Sequence, residues 1–236
     1  MRAIIMAGGK GTRLRPYTTL IPKPLVPLGN ELPILEVILR QLKKAGFTHI
    51  TITVNHLAEL IRAFFGQGER WDLRIDYSME DEPLSTIGPL TLIPDLPENF
   101  LVMNGDVLCD LDYRGFFRHH VEHGHDVTVS TCKRDNPIDY GVLRYTDDNR
   151  ICHFEEKPTY HFDVSMGVYC LKRSVLEKIP RGTFYGLNHL LLDGLAQGRP
   201  YFVKPFSGFW LDIGRPEDYD YCNEHFEEIR KLIGLE

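Results

Sequence analysis

Five cationic side chains, Arg2, Lys10, Arg13, Arg15 and Lys23, fall within the first 30 residues with no Asp or Glu among them, in a chain whose formal net charge is -6. Three of them lie in the run Ala7-Gly8-Gly9-Lys10-Gly11-Thr12-Arg13-Leu14-Arg15-Pro16. Glycine lets a backbone adopt φ > 0 and lets a ligand approach the N–H groups closely. Arg and Lys at fixed positions beside such a loop neutralise phosphate charge. The run therefore reads as a nucleotide phosphate loop, with a tight surface turn carrying solvated cations as the alternative. It is not a Walker A loop, because Gly-Lys is followed by Gly11, nor a dinucleotide fingerprint, because Leu14 stands where a third glycine belongs. Pro22 and Pro24 restrict the backbone around Lys23. That suits either a phosphate contact or an exposed turn lysine.

Two carboxylates could hold a metal. Asp106 follows Phe100-Leu101-Val102-Met103-Asn104-Gly105, the end of an apolar strand. Mg²⁺ prefers one or two carboxylates plus substrate oxygens; the alternative for Asp106 is a helix cap or turn. Asp212 sits in Phe209-Trp210-Leu211-Asp212-Ile213-Gly214, among large apolar residues, and a buried carboxylate needs a partner. A turn aspartate ahead of Pro216 is equally open. Glu156-Lys157-Pro158 could bind a sugar hydroxyl and a phosphate, or form a charged turn. His119, His120, His123 and His125 crowd one predicted helix end with no cysteine at ligand spacing, and read as a solvated terminus rather than a metal site.

The elements that must position these groups alternate. Ala3–Ala7, Ile50–Asn55, Leu73–Tyr77, Phe100–Asn104 and Val127–Cys132 read as strands. Ile34–Ala45, Leu57–Phe65 and Phe116–His123 read as helices, each stopped by a glycine. This βαβ alternation predicts a mainly parallel sheet covered by helices, with ligands outside the strand carboxyl ends. The loop at Gly8 and the Gly105-Asp106 turn both fall on that face. Beyond residue 140 the pattern changes to short strands at Val142–Tyr145, Ile151–Glu155 and Val164–Leu171. Helical stretches at Val175–Ile179 and Gly186–Ala196, a strand near Tyr201–Lys204 and a helix from Pro216 to Ile229 complete it. No hexapeptide-type repeat follows.

The length of 236 residues suits one large domain. The acidic balance argues against a nucleic-acid partner. Five scattered cysteines without a Cys-x-x-Cys pair suggest reduced thiols. No stretch has the length of a membrane span and no signal layout opens the chain, so a cytoplasmic location is expected.

Taken in order, Ala7-Gly8-Gly9-Lys10-Gly11-Thr12-Arg13-Leu14, Pro22-Lys23-Pro24, Glu82-Pro83-Leu84, Asn104-Gly105-Asp106, Tyr140-Gly141-Val142, Glu156-Lys157-Pro158, Met166-Gly167-Val168-Tyr169 and Trp210-x-Asp212-x-Gly214 resemble the sugar-1-phosphate nucleotidylyltransferases of the short form, without a C-terminal β-helix. The resemblance points toward the mannose- or heptose-1-phosphate guanylyltransferase type. It implies an α/β fold with a Rossmann-like mixed sheet in a single domain. Residues 1 to about 135 would bind nucleotide and about 136 to 236 sugar phosphate. The implied reaction is Mg²⁺-dependent transfer of a nucleotidyl group from an NTP to a sugar 1-phosphate, releasing pyrophosphate. By motif position, Ala7, Gly8, Gly9, Gly11, Thr12, Arg13, Gly88 and Asn104 would contact the nucleotide. Arg13, Lys23 and Lys157 would handle phosphates, and Asp106 and Asp212 the metal. Tyr140, Gly141, Glu156, Lys157 and Ser165 would meet the sugar phosphate.

Two departures from the family pattern stand out. Leu-Gly-Thr-Ala-Gly reads here Leu84-Ser85-Thr86-Ile87-Gly88, adding bulk to a base-side loop. Asn-Ala-Gly reads Ser165-Met166-Gly167. Glu80 falls near where a base-reading residue is expected, with a solvated loop residue as the equal alternative. A carboxylate accepts both N1–H and N2–H of guanine, which favours GTP over UTP or dTTP. A non-catalytic nucleotide-sugar-binding paralogue is the rival of another class, and a homodimer is left open.

Overall fold

Seven strands form the central sheet of the computed structural model, which describes residues 1–235. They are β1 (Arg2–Met6), β2 (His49–Val54), β3 (Arg74–Met79), β4 (Asn99–Asn104), β5 (Val127–Pro137), β6 (Thr159–Lys172) and β7 (Phe202–Phe206), in the spatial order β7-β5-β6-β4-β1-β2-β3. Every pairing is parallel except the two made by β6, which runs against both β5 and β4. The chain leaves β1 for β2 on one side and later returns to β4 on the other. That reversal is the switch point at which open α/β sheets bind ligands. Met6 and Asn104 are paired across it, so the loops after β1 and β4 both start there.

Alternation along β1 sets the two core layers. Ala3 and Ile5 enter one, and Ile4 the other. The first layer is closed by α1 (Ile34–Lys44), α2 (Ala58–Phe65), α3 (Tyr113–Glu122), α5 (Pro216–Glu224) and α6 (Phe226–Leu232). The second is closed by α4 (Leu187–Ala196) and the turns around Leu90 and Val175. In α1 the side chains of Leu35, Ile38, Leu39 and Leu42 are fully buried. Each such burial stabilises the fold by about 1.5–3 kcal/mol. No helix among the described residues is long and apolar enough to cross a membrane.

The structure departs from the sequence expectation in several places. Val175–Ile179 is not a helix; Arg173–Leu176 forms a single 3-10 turn. The last helix is broken at His225 into α5 and α6. β5 and β6 run beyond the expected strands as an antiparallel arm, with Thr159 paired to Pro137 at its far end. The ribbon Val142–Tyr145/Ile151–Glu155 follows within that arm region. The histidine cluster is not simply a solvated helix end, since His120 is fully buried.

Candidate active site

The loop after β1 is shaped by Gly11. Its φ of 61° is left-handed, and a Cβ there would lie 3.1 Å from Thr18 Cγ2 and 3.3 Å from Lys23 Cβ. Glycine is thus required both by conformation and by the close approach of Lys23. Thr18 Oγ1 donates to the Gly11 carbonyl at 2.7 Å, and Leu14 is fully buried, so both ends of the loop are pinned. The intervening turn Thr12–Leu14 carries Arg13 at the surface. Lys23 opens a second 3-10 turn, Lys23–Leu25, with Pro22 ahead of it. Its Nζ lies 2.5 Å from Asp106 Oδ2, with the two side chains only 11% and 21% exposed.

Asp106 is brought here by Gly105, whose N–H donates to the Met6 carbonyl at 3.0 Å. Immediately after it, Val107–Cys109 forms an antiparallel ribbon with Trp210–Asp212, which the sequence did not suggest. The register sets Asp212 opposite Val107, and the Ile213 N–H donates to the Asp106 carbonyl at 3.0 Å. Two carboxylates distant in sequence are thereby adjacent. Burial, and then the negative charge of Asp106, raise the Asp212 carboxyl above its ordinary value, while Lys23 and Arg13 pull it back. Gly214 closes the same corner. A Cβ on it would lie 3.4 Å from both Asp212 Oδ2 and an Arg13 guanidinium nitrogen. Gly9, Thr12, Arg13, Lys23, Asp106 and Gly214 share the wall of a cavity of about 190 Å³.

Behind the loop, Glu80 is 6% exposed. One of its oxygens accepts the Leu84 N–H at 3.1 Å, and the other lies 2.7 Å from where a Cβ on Gly8 would stand. Burial raises its carboxyl above the usual range, offset in part by hydrogen bonds from Leu84 and Thr53. Gly88 is buried against the Thr183 carbonyl and the Tyr185 N–H, so the side chain it lacks makes room for protein. Like Gly8 and Glu80, it lies outside the wall of that cavity. Ile87 is fully buried in the second core layer; its bulk is spent on packing near α4. Ser85 adopts φ 67°, a left-handed conformation at a position where the family pattern has glycine.

A family model described as nucleotidyl transferase matches residues 2–228 of this chain. The chain belongs to the nucleotidyl transferase family. It is 37% identical over 228 residues to mannose-1-phosphate guanyltransferase beta-A of Xenopus laevis, covering 93% of this chain and 62% of that protein. It is 34% identical to a UTP–glucose-1-phosphate uridylyltransferase of Synechocystis, over all of this chain and 64% of the relative. The chain thus spans a little over three fifths of these relatives. Among solved structures it is similar to HddC from Yersinia pseudotuberculosis, with TM-score 0.72 and 28% identity over 95% of this chain and 99% of that one. A second structure of HddC, described as complexed with GMP-PN, aligns with TM-score 0.72 and 27% identity over the same shares.

In this nucleotidyl transferase the remaining expected residues, Asn104 of the nucleotide set and those of the sugar-phosphate set, divide into two groups. Asn104 and Ser165 lie beside the carboxylates. Gly167 turns left-handed at φ 77°, and a Cβ there would lie 2.6 Å from the Asn104 amide nitrogen. Its N–H donates to Ser165 Oγ at 3.3 Å, and Ser165 Oγ donates to the Tyr169 hydroxyl at 3.3 Å. Tyr169 itself is raised by burial and by the charges of Asp106 and Asp212, which marks it as a neighbour of both. The other group, Tyr140, Gly141, Glu156 and Lys157, lies on the exposed arm. Gly141 sits under the Phe154 ring, and Glu156 Oε2 would be 3.4 Å from a Cβ on it. Lys157 is left-handed at φ 43°, an uncommon backbone for lysine that aims its side chain off the regular strand direction. Thr18 had escaped the sequence reading, whereas Tyr169 and Gly214 lay inside quoted motifs, Met166-Gly167-Val168-Tyr169 and Trp210-x-Asp212-x-Gly214, without being given a role.

Proposed function

We propose that this nucleotidyl transferase moves a nucleotidyl group from an NTP, with GTP favoured, to a sugar 1-phosphate, in a Mg²⁺-dependent reaction that releases pyrophosphate. The observation that carries this reading is the corner at the sheet's switch point. There Asp106 and Asp212 are set side by side, with Lys23 and Arg13 against them. Asp106 Oδ1 is buried and has no hydrogen-bond partner, and Asp212 resists ionisation beside it. A small dication suits such a pair, because it takes one or two carboxylates and completes its shell with phosphate oxygens. Asp106 and Asp212 would hold the Mg²⁺, which would supply neutralisation of charge developing on the pyrophosphate.

The remaining chemistry needs positioning rather than a base. The attacking sugar-phosphate oxygen is already ionised near neutral pH. The barrier lies in bringing two anions into line and in stabilising the leaving group. Arg13, in the turn after Gly11, would clamp the leaving phosphates. Lys23 can exchange its carboxylate for a phosphate oxygen. Lys157 on the arm would bind the incoming sugar phosphate and Glu156 its hydroxyls.

Glu80 supports guanine as the base, since its buried carboxylate lies behind Gly8 and can accept two N–H groups. The Xenopus guanyltransferase and the HddC complex point the same way, whereas the Synechocystis relative favours UTP as the second reading. The test is pyrophosphate release with GTP, UTP, dTTP, CTP and ATP against a panel of sugar 1-phosphates. Release requiring GTP and one sugar phosphate together supports the proposal. Release with UTP alone replaces the base, and binding without release from any pair replaces the enzyme by a nucleotide-sugar-binding protein.

A further inference from the structure

The histidines at the end of α3 do not take part in any of this chemistry, yet they are organised. The rings of His119 and His123, one helical turn apart, have centroids 4.1 Å apart; His125 lies 5.7 Å from the first and 5.4 Å from the second. Three imidazoles ligating one tetrahedral metal through nitrogens at about 2.0–2.1 Å place their centroids roughly 5 Å apart; the two separations from His125 are close to this, and the His119–His123 pair is tighter.

The hydrogen bonds also fix which nitrogens are free. His123 Nδ1 lies 2.8 Å from the His119 carbonyl. A carbonyl only accepts, so Nδ1 carries the proton and Nε2 presents a lone pair. His125 Nδ1 pairs with Thr128 Oγ1 at 3.1 Å, and the same hydroxyl meets His120 Nδ1 at 2.8 Å. The His125 ring is stacked 3.7 Å from Phe202 at 8°. It is thus oriented from two sides, with Nε2 unclaimed. Orientation of one ring nitrogen by a protein acceptor or hydroxyl is the usual support of a metal-ligating histidine.

His119 makes no side-chain hydrogen bond among the described residues and so is free to rotate. That freedom is needed, because among the described residues no three ligating groups already converge on one point. The charged groups facing the cluster are Glu122 and Asp126, which favour a cation, and Lys204 and Lys172, which oppose it.

We propose that His119, His123 and His125 form a binding site for a divalent transition metal of the imidazole-preferring class, with Zn²⁺ as the probe, stapling the end of α3 to the start of β5. The site is separate from the Asp106–Asp212 corner and does not depend on its function.

The experiment is calorimetric titration of the whole chain with Zn²⁺ at pH 7.5, repeated on His123→Gln, His119→Gln and Asp212→Asn. The expected result is one zinc per chain that persists in Asp212→Asn and is weakened at least about tenfold in each histidine variant, as loss of one of three ligands requires. His123 is exposed and His119 half-buried, and the fold of each variant is checked by circular dichroism. No zinc binding by the unaltered chain, or binding unchanged in both histidine variants, overturns the proposal.

Discussion

The ammonium of Lys23 and the carboxylate of Asp106 meet at 2.5 Å across 83 residues of sequence, largely withdrawn from water. The lysine arrives on a turn between two prolines and the aspartate on the glycine turn after β4. Their pairing leaves the second oxygen of Asp106 buried and unused. A cation that already holds one acid of a pair is also the nearest positive charge for an incoming phosphate.

Replacing that cation should affect the reaction more than the fold. Lys23→Met is expected to lower kcat/KM for nucleotidyl transfer by about 10²–10³-fold, the scale of removing one preorganised electrostatic contact. Lys23→Arg should recover only part, since a planar guanidinium does not fit the space of a compact ammonium. Steady-state pyrophosphate release on the two variants measures this, and activity of Lys23→Met within threefold of the parent would contradict the role.

The two carboxylates are expected to act as a unit. Asp106→Asn and Asp212→Asn should each abolish Mg²⁺-dependent turnover. They should also abolish the rise in melting temperature that Mg²⁺ with a nonhydrolysable NTP gives the parent, as ligand linkage requires. Melting without ligand should stay close to the parent for Asp212→Asn, which keeps the shape and removes a like-charge contact, and should fall for Asp106→Asn, which leaves the largely buried Lys23 ammonium without its partner. Undiminished Mg²⁺ stabilisation in both variants would move the metal elsewhere.

Glu80 supplies a pH signature. Burial raises its carboxyl above 4.5, so the folded chain holds that proton more tightly than the unfolded chain. The stabilisation from holding it is fully present below the unfolded value and is lost as pH rises through the folded value. Glu80→Gln does not titrate. Its stability relative to the parent should therefore improve as pH rises from the ordinary carboxyl range through the folded value, and level off above it. Thermal unfolding over that range tests it; a difference that is flat with pH would show that Glu80 titrates normally.

Gly11 offers a test of the loop's shape. Gly11→Ala forces a Cβ into a left-handed residue between Thr18 and Lys23. The conformation alone costs about 1–2 kcal/mol. Because Lys23 must shift as well, activity should fall by more than the stability loss accounts for, read as a drop in kcat with a largely retained melting transition. An alanine variant with full activity would show that the loop adapts.

Much of this site was legible because its signals are local. The apolar run Ala3–Ala7 and the glycines after it fix both a buried strand and its loop, and Asp106 follows its own strand by two residues. Asp212 was legible only as a half-buried acid. Its pairing with Asp106 depends on a ribbon three residues long on each side, too short to show a period. Ile87 looked like added bulk at a base-side loop. Its burial against the second core layer is a matter of which way the loop faces, and spacing carries no such information. His120 was hidden in a polar cluster by the same limit, since one face of a helix end is inside and the other wet.

The ladder between β6 and β5 also bears on how such a chain can change. Between Ser165 and Tyr169 four steps along β6 span what two steps span on β5. Side chains alternate with every residue, so an even surplus leaves both halves of the strand presenting the same faces. The surplus is the stretch that turns at Gly167 and sets Ser165 beside Tyr169. A two-residue excision there would leave the ladder in phase while erasing the corner next to Asn104, with the loss of Met166 or Val168 from the first core layer. The scaffold and this part of its specificity are therefore separable, and variation in the one need not be accompanied by variation in the other.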